Sequence, residues 1–228
     1  MHSDIRGFIF DLDGVLVDTA QYHYQAWRRL ARQLGFDLSQ AQNELLKGVS
    51  RMASLDIVLG IGGVQADAVQ KAAWAAQKNG WYVELISAMT PTEILPNVSA
   101  FTDAARGRGI RTAVGSASKN TPAILKGTGL AGLFDAVIDG NATSKAKPDP
   151  EVFLLAARAL GLEPSRCLVF EDAEAGVEAA LAAGMRVVGI GTPRSLAKAD
   201  LVIRGFAGIM PDTILAQFNL IDHERNFA

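Results

Sequence analysis

The chain has 228 residues, 49% of them hydrophobic and 20% charged, with a formal net charge of −2. That composition supports a sizeable buried core and excludes a largely disordered chain. The near-neutral balance argues against a broad electrostatic grip on nucleic acid or anionic lipid, so neither nucleic acid nor membrane is expected as a partner.

The N-terminal MHSDIRGFIFDLDG lacks the apolar stretch of a secretory signal, and no run approaches the roughly eighteen apolar residues of a membrane span. The single cysteine, Cys167, cannot form an internal disulfide and fits a reducing cytoplasm. The first apolar run, GFIF at 7–10, is short and does not alternate, which suits a strand buried on both faces. Residues 18–92 then read as helix after helix. The first carries Ala20, Ala26, Trp27, Leu30, Ala31 and Leu34 on one face, with Arg28, Arg29 and Arg32 mostly on the other. Gly60, Gly62 and Gly63 punctuate the middle, and 64–86 forms a long final helix in which Gly80 marks a place to bend.

From Leu95-Pro96 onward strand-like runs return: 110–115, 134–138, 167–170, 186–190 and 200–203. Helix punctuation separates them. Asp149 can cap and Pro150 suits a first helical turn before EVFLLAARAL, which Gly161 stops; Asp172 likewise precedes AEAGVEAALAAG, stopped at Gly184. Alternating strands and helices predict an α/β fold, a doubly wound parallel sheet whose ligands sit beyond the carboxyl ends of the strands. The expected division is a core of 1–17 and 93–228 with an α-helical cap, 18–92, inserted after the first strand.

Chemistry gathers at the predicted strand ends. Asp11 and Asp13 lie two apart after the first strand, so on an extended chain their carboxylates point the same way. Alone, the pair is no more than an acidic turn. Ser116 follows the second core strand, Lys147 precedes a helix, and Glu171 and Asp172 end another strand. Jointly they place four carboxylates, a lysine and a hydroxyl turn on one edge. Such a cluster needs a hard cation, and oxygen donors without His or Cys select Mg²⁺. A nucleophilic carboxylate, a metal, a lysine and phosphate-cradling N–H groups suit in-line phosphoryl transfer.

DLDG, GSAS, Lys147 in AKPDP, and FEDAEAG resemble, in order, the four motifs of the haloacid dehalogenase (HAD) superfamily, whose core is Rossmann-like. The resemblance implies Asp11 as nucleophile and Asp13 as general acid/base. It implies Mg²⁺ on Asp11, the Asp13 carbonyl and Asp172, helped by Glu171, and a transferring phosphate held by Lys147, Ser116 and the N–H of Ala117. Three further strings, DTAQYHYQAW, LKGVSRMASL and SASKN, resemble the β-phosphoglucomutase branch. This likeness implies that Thr19 and His23 couple cap closure to Asp13. It puts Trp27, Leu46, Lys47, Gly48, Val49, Ser54 and Lys78 around a sugar, Arg51, Lys119 and Asn120 around a second phosphate, and Ser118 among the substrate-binding residues. A cytoplasmic monomer that isomerises a sugar phosphate is the expected function. A sugar-phosphate phosphatase on the same scaffold, or a non-catalytic binder of phosphorylated ligands, stays open on residues alone. Each helix residue named also has a plain packing explanation.

Overall fold

A computed structural model describes residues 4–47 and 49–225. Six parallel strands, β1 (Gly7–Phe10), β2 (Arg111–Gly115), β3 (Ala136–Ile138), β4 (Cys167–Glu171), β5 (Arg186–Ile190) and β6 (Leu201–Ile203), form one sheet in the order β3-β2-β1-β4-β5-β6. The strands are short and apolar because helices cover both faces. Period-two alternation divides them. Phe8, Phe10, Leu168 and Phe170 face one layer with α5 (Val98–Gly107) and α9 (Pro211–Arg225), while Ile9, Val169 and Val187 face α7 (Glu151–Leu160) and α8 (Glu174–Ala182).

The first layer is an aromatic cluster. The Phe170 ring stacks on Phe10 at 4.8 Å between centroids and meets Phe8 at 5.2 Å, Phe101 at 5.5 Å and Phe206 at 5.5 Å. Offset and edge-on pairs of this kind add to the burial energy of each ring. Since Phe170 sits immediately before the acidic pair Glu171-Asp172, the cluster anchors the strand end that delivers those carboxylates.

After β1 the chain leaves for a helical cap of α1 (Ala20–Gln33), α2 (Gln40–Asn43), α3 (Arg51–Gly62) and α4 (Ala68–Ile86). Its separate core joins Trp27, Leu30 and Ala31 to Leu38, Leu55, Val58, Leu59 and Ala75. The outgoing and returning segments pair. Asp18 N–H donates to Glu93 carbonyl at 3.0 Å, Leu95 N–H to Leu16 carbonyl at 3.0 Å, and Val17 faces Ile94 in an antiparallel bridge. The helix α6 (Thr121–Thr128) follows β2 and completes the flank.

Four local expectations change. The last cap helix starts at Ala68, not at 64, because Asp67 accepts from Gln70 N–H and Gln70 answers in a capping box. It runs unbroken through Gly80, where an added Cβ would meet nothing within 4 Å. Asp172 caps nothing: α8 starts at Glu174 behind Ala173, without a side-chain cap. Gly60 and Gly62 lie inside α3, and Gly63 ends it in the left-handed region at φ 64°.

Replacing Phe170 by Ala removes the hub of the aromatic layer. It is expected to lower unfolding free energy by about 3–5 kcal/mol, read as a fall in the denaturant midpoint. A loss below about 1 kcal/mol would show that the cluster is not a principal support of the sheet.

Candidate active site

The carboxyl edge of the sheet carries the predicted groups. Asp11 directly follows β1, its N–H donating to Phe170 carbonyl at 2.9 Å, and Glu171 is the last residue of the neighbouring β4. Lys147, carried on the loop before α7, inserts between them, with Nζ 2.7 Å from Asp11 Oδ1 and 2.7 Å from Glu171 Oε2. All three side chains are buried. Burial works against the charge on Lys147, but the Asp11 and Glu171 carboxylates overrule it and hold the ammonium above its ordinary range.

Close packing behind the acids depends on missing side chains. At Gly14, φ is 81° and a Cβ would collide with the Asp172 carboxylate; at Gly176 a Cβ would collide with that of Glu171. Asp11, Glu171 and Asp172 each present an oxygen within 4.8 Å of the others. Burial pushes Glu171 up to about 7 against the pull of Lys147. Burial, then Glu171 and Asp11, raise Asp172 well above its usual value. A compact all-oxygen set with unfavourable crowding of negative charge fits a hard divalent cation. Glu171 Oε1 also accepts from Ala173 N–H at 3.1 Å, so Asp11 and Asp172 are the less committed donors.

The Asp13 carboxylate is not in that trio. It accepts from the Thr19 hydroxyl, which the start of α1 leaves without a helix-capping role. Burial, then the neighbouring Asp11, raises Asp13 to about 6. One turn along α1, His23 Nδ1 lies 3.0 Å from Lys78 Nζ and its ring stacks on Tyr82 at 4.1 Å.

Between core and cap lies a cavity of about 610 Å³. Asp11, Asp13, Asp172 and Lys147 line its core side, with Ala117, Ser118, Lys119 and Asn120 beside them; Thr19, His23, Trp27, Leu46, Lys47, Val49, Arg51, Ser54 and Lys78 line its cap side. Ser116 and Glu171 are not on its surface: Ser116 is buried at the turn, where its Oγ accepts from Ser118 N–H at 3.0 Å. Gly48 lies outside the described residues. A larger hollow of about 1170 Å³ shares Gly14, Lys47 and Asp172, but Asp11, Asp13 and Lys147 do not reach it. The chemistry therefore belongs to the smaller cavity.

Several lining residues escaped the sequence reading, and three of them matter most. Tyr82 is 1% exposed, and among the described residues neither its Oη nor the buried Asn43 Oδ1 has a hydrogen-bond partner. Asn79 Oδ1 accepts from Asn120 Nδ2 at 3.1 Å, a direct tie between cap and core. Lys78, Asn79 and Tyr82 occupy one side of α4 at i, i+1 and i+4, a signal that Lys78 alone could have opened.

The sequence pattern of the haloacid dehalogenase-like hydrolases matches residues 5–184. The chain belongs to this family. Within the HAD family it is 39% identical over 202 residues to the β-phosphoglucomutase of Bacillus subtilis, covering 88% of this chain and 89% of that one. It is 32% identical to the fructose-1-phosphate phosphatase of Escherichia coli, over 83% and 98% of the two chains. The crystal structure of β-phosphoglucomutase from Clostridium difficile superposes with a TM-score of 0.89 at 40% identity, covering 94% of this chain and 97% of that one. Among the described residues no helix is long and apolar enough to cross a membrane.

The raised carboxyls make a signed prediction. Asp13, Glu171 and Asp172 bind protons more tightly folded than unfolded, so metal-free stability falls as pH rises from about 4.5 through about 7. Added Mg²⁺ is expected to raise the melting temperature progressively more across that window. A Mg²⁺ shift that does not grow with pH would contradict the acidic trio as its site.

Proposed function

We propose that the protein is a β-phosphoglucomutase, an isomerase interconverting β-glucose 1-phosphate and glucose 6-phosphate through an aspartyl-phosphate and a sugar bisphosphate. The observation that carries this reading is one cavity with cationic groups at two places. Lys147 lies with Asp11 on the core side, and Arg51 opens α3 on the cap side. A bisphosphate needs both, whereas a phosphatase needs only the metal-side phosphate site. The likeness to the Bacillus subtilis and Clostridium difficile β-phosphoglucomutases supports the same choice.

In this reading the Asp11 carboxylate attacks phosphorus and Asp13 moves the proton of the sugar hydroxyl. The Asp13 value of about 6 suits a group that must both give and take a proton near neutrality. Lys147, the Ala117 N–H and the Ser116 hydroxyl hold the transferring phosphate; the Ser116 proton stays available because its oxygen is the acceptor for Ser118. Arg51, Lys119 and Asn120 hold the other phosphate, Arg51 as a bidentate fork and Lys119 as a point charge, with Ser118 contacting the substrate beside them. Trp27, Leu46, Lys47, Val49, Ser54 and Lys78 surround the sugar.

Mg²⁺ would be held by Asp11, Asp172 and the Asp13 carbonyl with help from Glu171, and when bound would neutralise charge on the transferring group. Thr19 and His23 tie Asp13 to the cap, so that it is placed for proton transfer when the cap has closed over sugar rather than water. The working division is a core of 1–17 and 93–228 and a cap of 18–92. We also take the enzyme to act as a cytoplasmic monomer, its one thiol buried.

Three measurements test the reading. With Mg²⁺ and a bisphosphate primer, β-glucose 1-phosphate is expected to isomerise faster than it releases phosphate; predominant phosphate release would establish the phosphatase instead. In the same assay Asp11→Asn should fold, form no phospho-enzyme and lose at least about 10³-fold in turnover. Arg51→Ala should slow isomerisation at least about tenfold more than hydrolysis of a small monophosphate, because the latter uses one phosphate site. Equal losses would assign Arg51 to structure.

A further inference from the structure

Five lysines line the cavity, Lys47, Lys78, Lys119, Lys145 and Lys147, and their surroundings differ sharply. Lys147 is clamped by two carboxylates, Lys47 pairs with Glu44 at 2.9 Å, and Lys145 pairs with Asp149 at 3.2 Å. Lys119 is exposed to water. Lys78 has neither arrangement. It is 2% exposed, its Nζ lies 4.6 Å from the Trp27 ring centroid and 4.7 Å from that of Tyr82, and its polar contact is His23 Nδ1 at 3.0 Å.

We propose that Lys78 is a carbonyl-reactive lysine, whose amine condenses with the aldehyde of a phosphate-bearing ligand held in this cavity, such as an open-chain aldose phosphate. The inference goes beyond the isomerase reading and rests on it only for the choice of a phosphorylated aldehyde.

The surrounding groups make the free amine accessible. Burial and the Arg51 guanidinium bring Lys78 down to about 7, with Asp13 pulling the other way. An ordinary lysine near 10.5 has on the order of a thousandfold less free amine at neutral pH. Burial, Lys78 and Arg51 hold His23 well below its usual value, so its imidazole is neutral. Burial, then Asp13, raises Tyr82, so its phenol stays protonated. In the tautomer of neutral His23 that carries its proton on Nε2, Nδ1 accepts a Lys78 N–H, which leaves the nitrogen lone pair free to attack.

The step balances without a co-reactant. Nitrogen forms a bond to the aldehyde carbon, and the carbonyl oxygen takes up two protons, both released from nitrogen, and leaves as water. The product is an imine with one water lost. The imine would fill the sugar space and tether the cap side of the cavity to its ligand, which makes it an inhibitory modification.

The test uses the full chain, pyridoxal 5′-phosphate as the aldehyde, borohydride to reduce the imine, and peptide mapping. One reduced pyridoxyl group per chain is expected on Lys78, at least about tenfold faster than on Lys119 or Lys145. Its formation should be half-maximal near pH 7, and inorganic phosphate should slow it. Lys78→Met removes the amine at similar length and should lose this label while retaining the native circular dichroism spectrum. Label spread evenly over surface lysines, or confined to Lys119 with Lys78 untouched, overturns the proposal. Isomerase activity is scored separately. Label on Lys78 in a protein without that activity supports the inference and removes the isomerase reading; an active isomerase with Lys78 unlabelled does the reverse.

Discussion

A parallel sheet sends every strand's carboxyl end to the same edge, and in this chain that edge carries like charges. Asp11 after β1 and Glu171 at the end of β4 are neighbours because those strands are paired, Phe10 opposite Phe170. The buried Lys147 ammonium between them makes the arrangement tolerable. A buried ion pair stabilises little beyond its desolvation cost, but removing one partner strands the others at high cost. Lys147 is therefore the contact on which the positions of Asp11 and Glu171 depend, and through them the whole acidic trio.

The cavity sets two buried lysines in opposite electrical surroundings. Lys147 keeps its charge because two carboxylates meet it; Lys78 is surrounded by rings and an imidazole, with the Arg51 guanidinium outweighing the pull of Asp13. One amine is fixed as a cation and the other is free to change its state with what enters the cavity. Burial is similar at both positions, so the neighbours decide the outcome.

The six strands and their edge chemistry were legible in the sequence because short apolar runs ending in Asp, Ser or Glu admit few placements. The cap helices were legible from their apolar faces, as at Ala26, Trp27, Leu30 and Ala31. What escaped depends on contacts between distant segments. Asn79 matters through Asn120, Tyr82 through His23, and neither pairing leaves a mark in local composition. Asp172 reads as a helix cap by position, yet close approach at Gly14 keeps its carboxylate among the acids instead. The early start expected for α4 yielded to Asp67, whose capping box outcompetes further extension of the helix.

The paired segments around Val17 and Ile94 have a consequence for how such a protein can change over time. Because the two crossings are hydrogen-bonded to each other, the chain leaves and re-enters the sheet at a single narrow ribbon, whatever the length of the insertion. Loop closure varies only as the logarithm of length, so lengthening, shortening or exchanging everything beyond that ribbon perturbs the strands little. The insertion is thus a replaceable cassette. New acceptor preferences can arise by rewriting the cassette, while the carboxylates and their lysine stay where the sheet puts them.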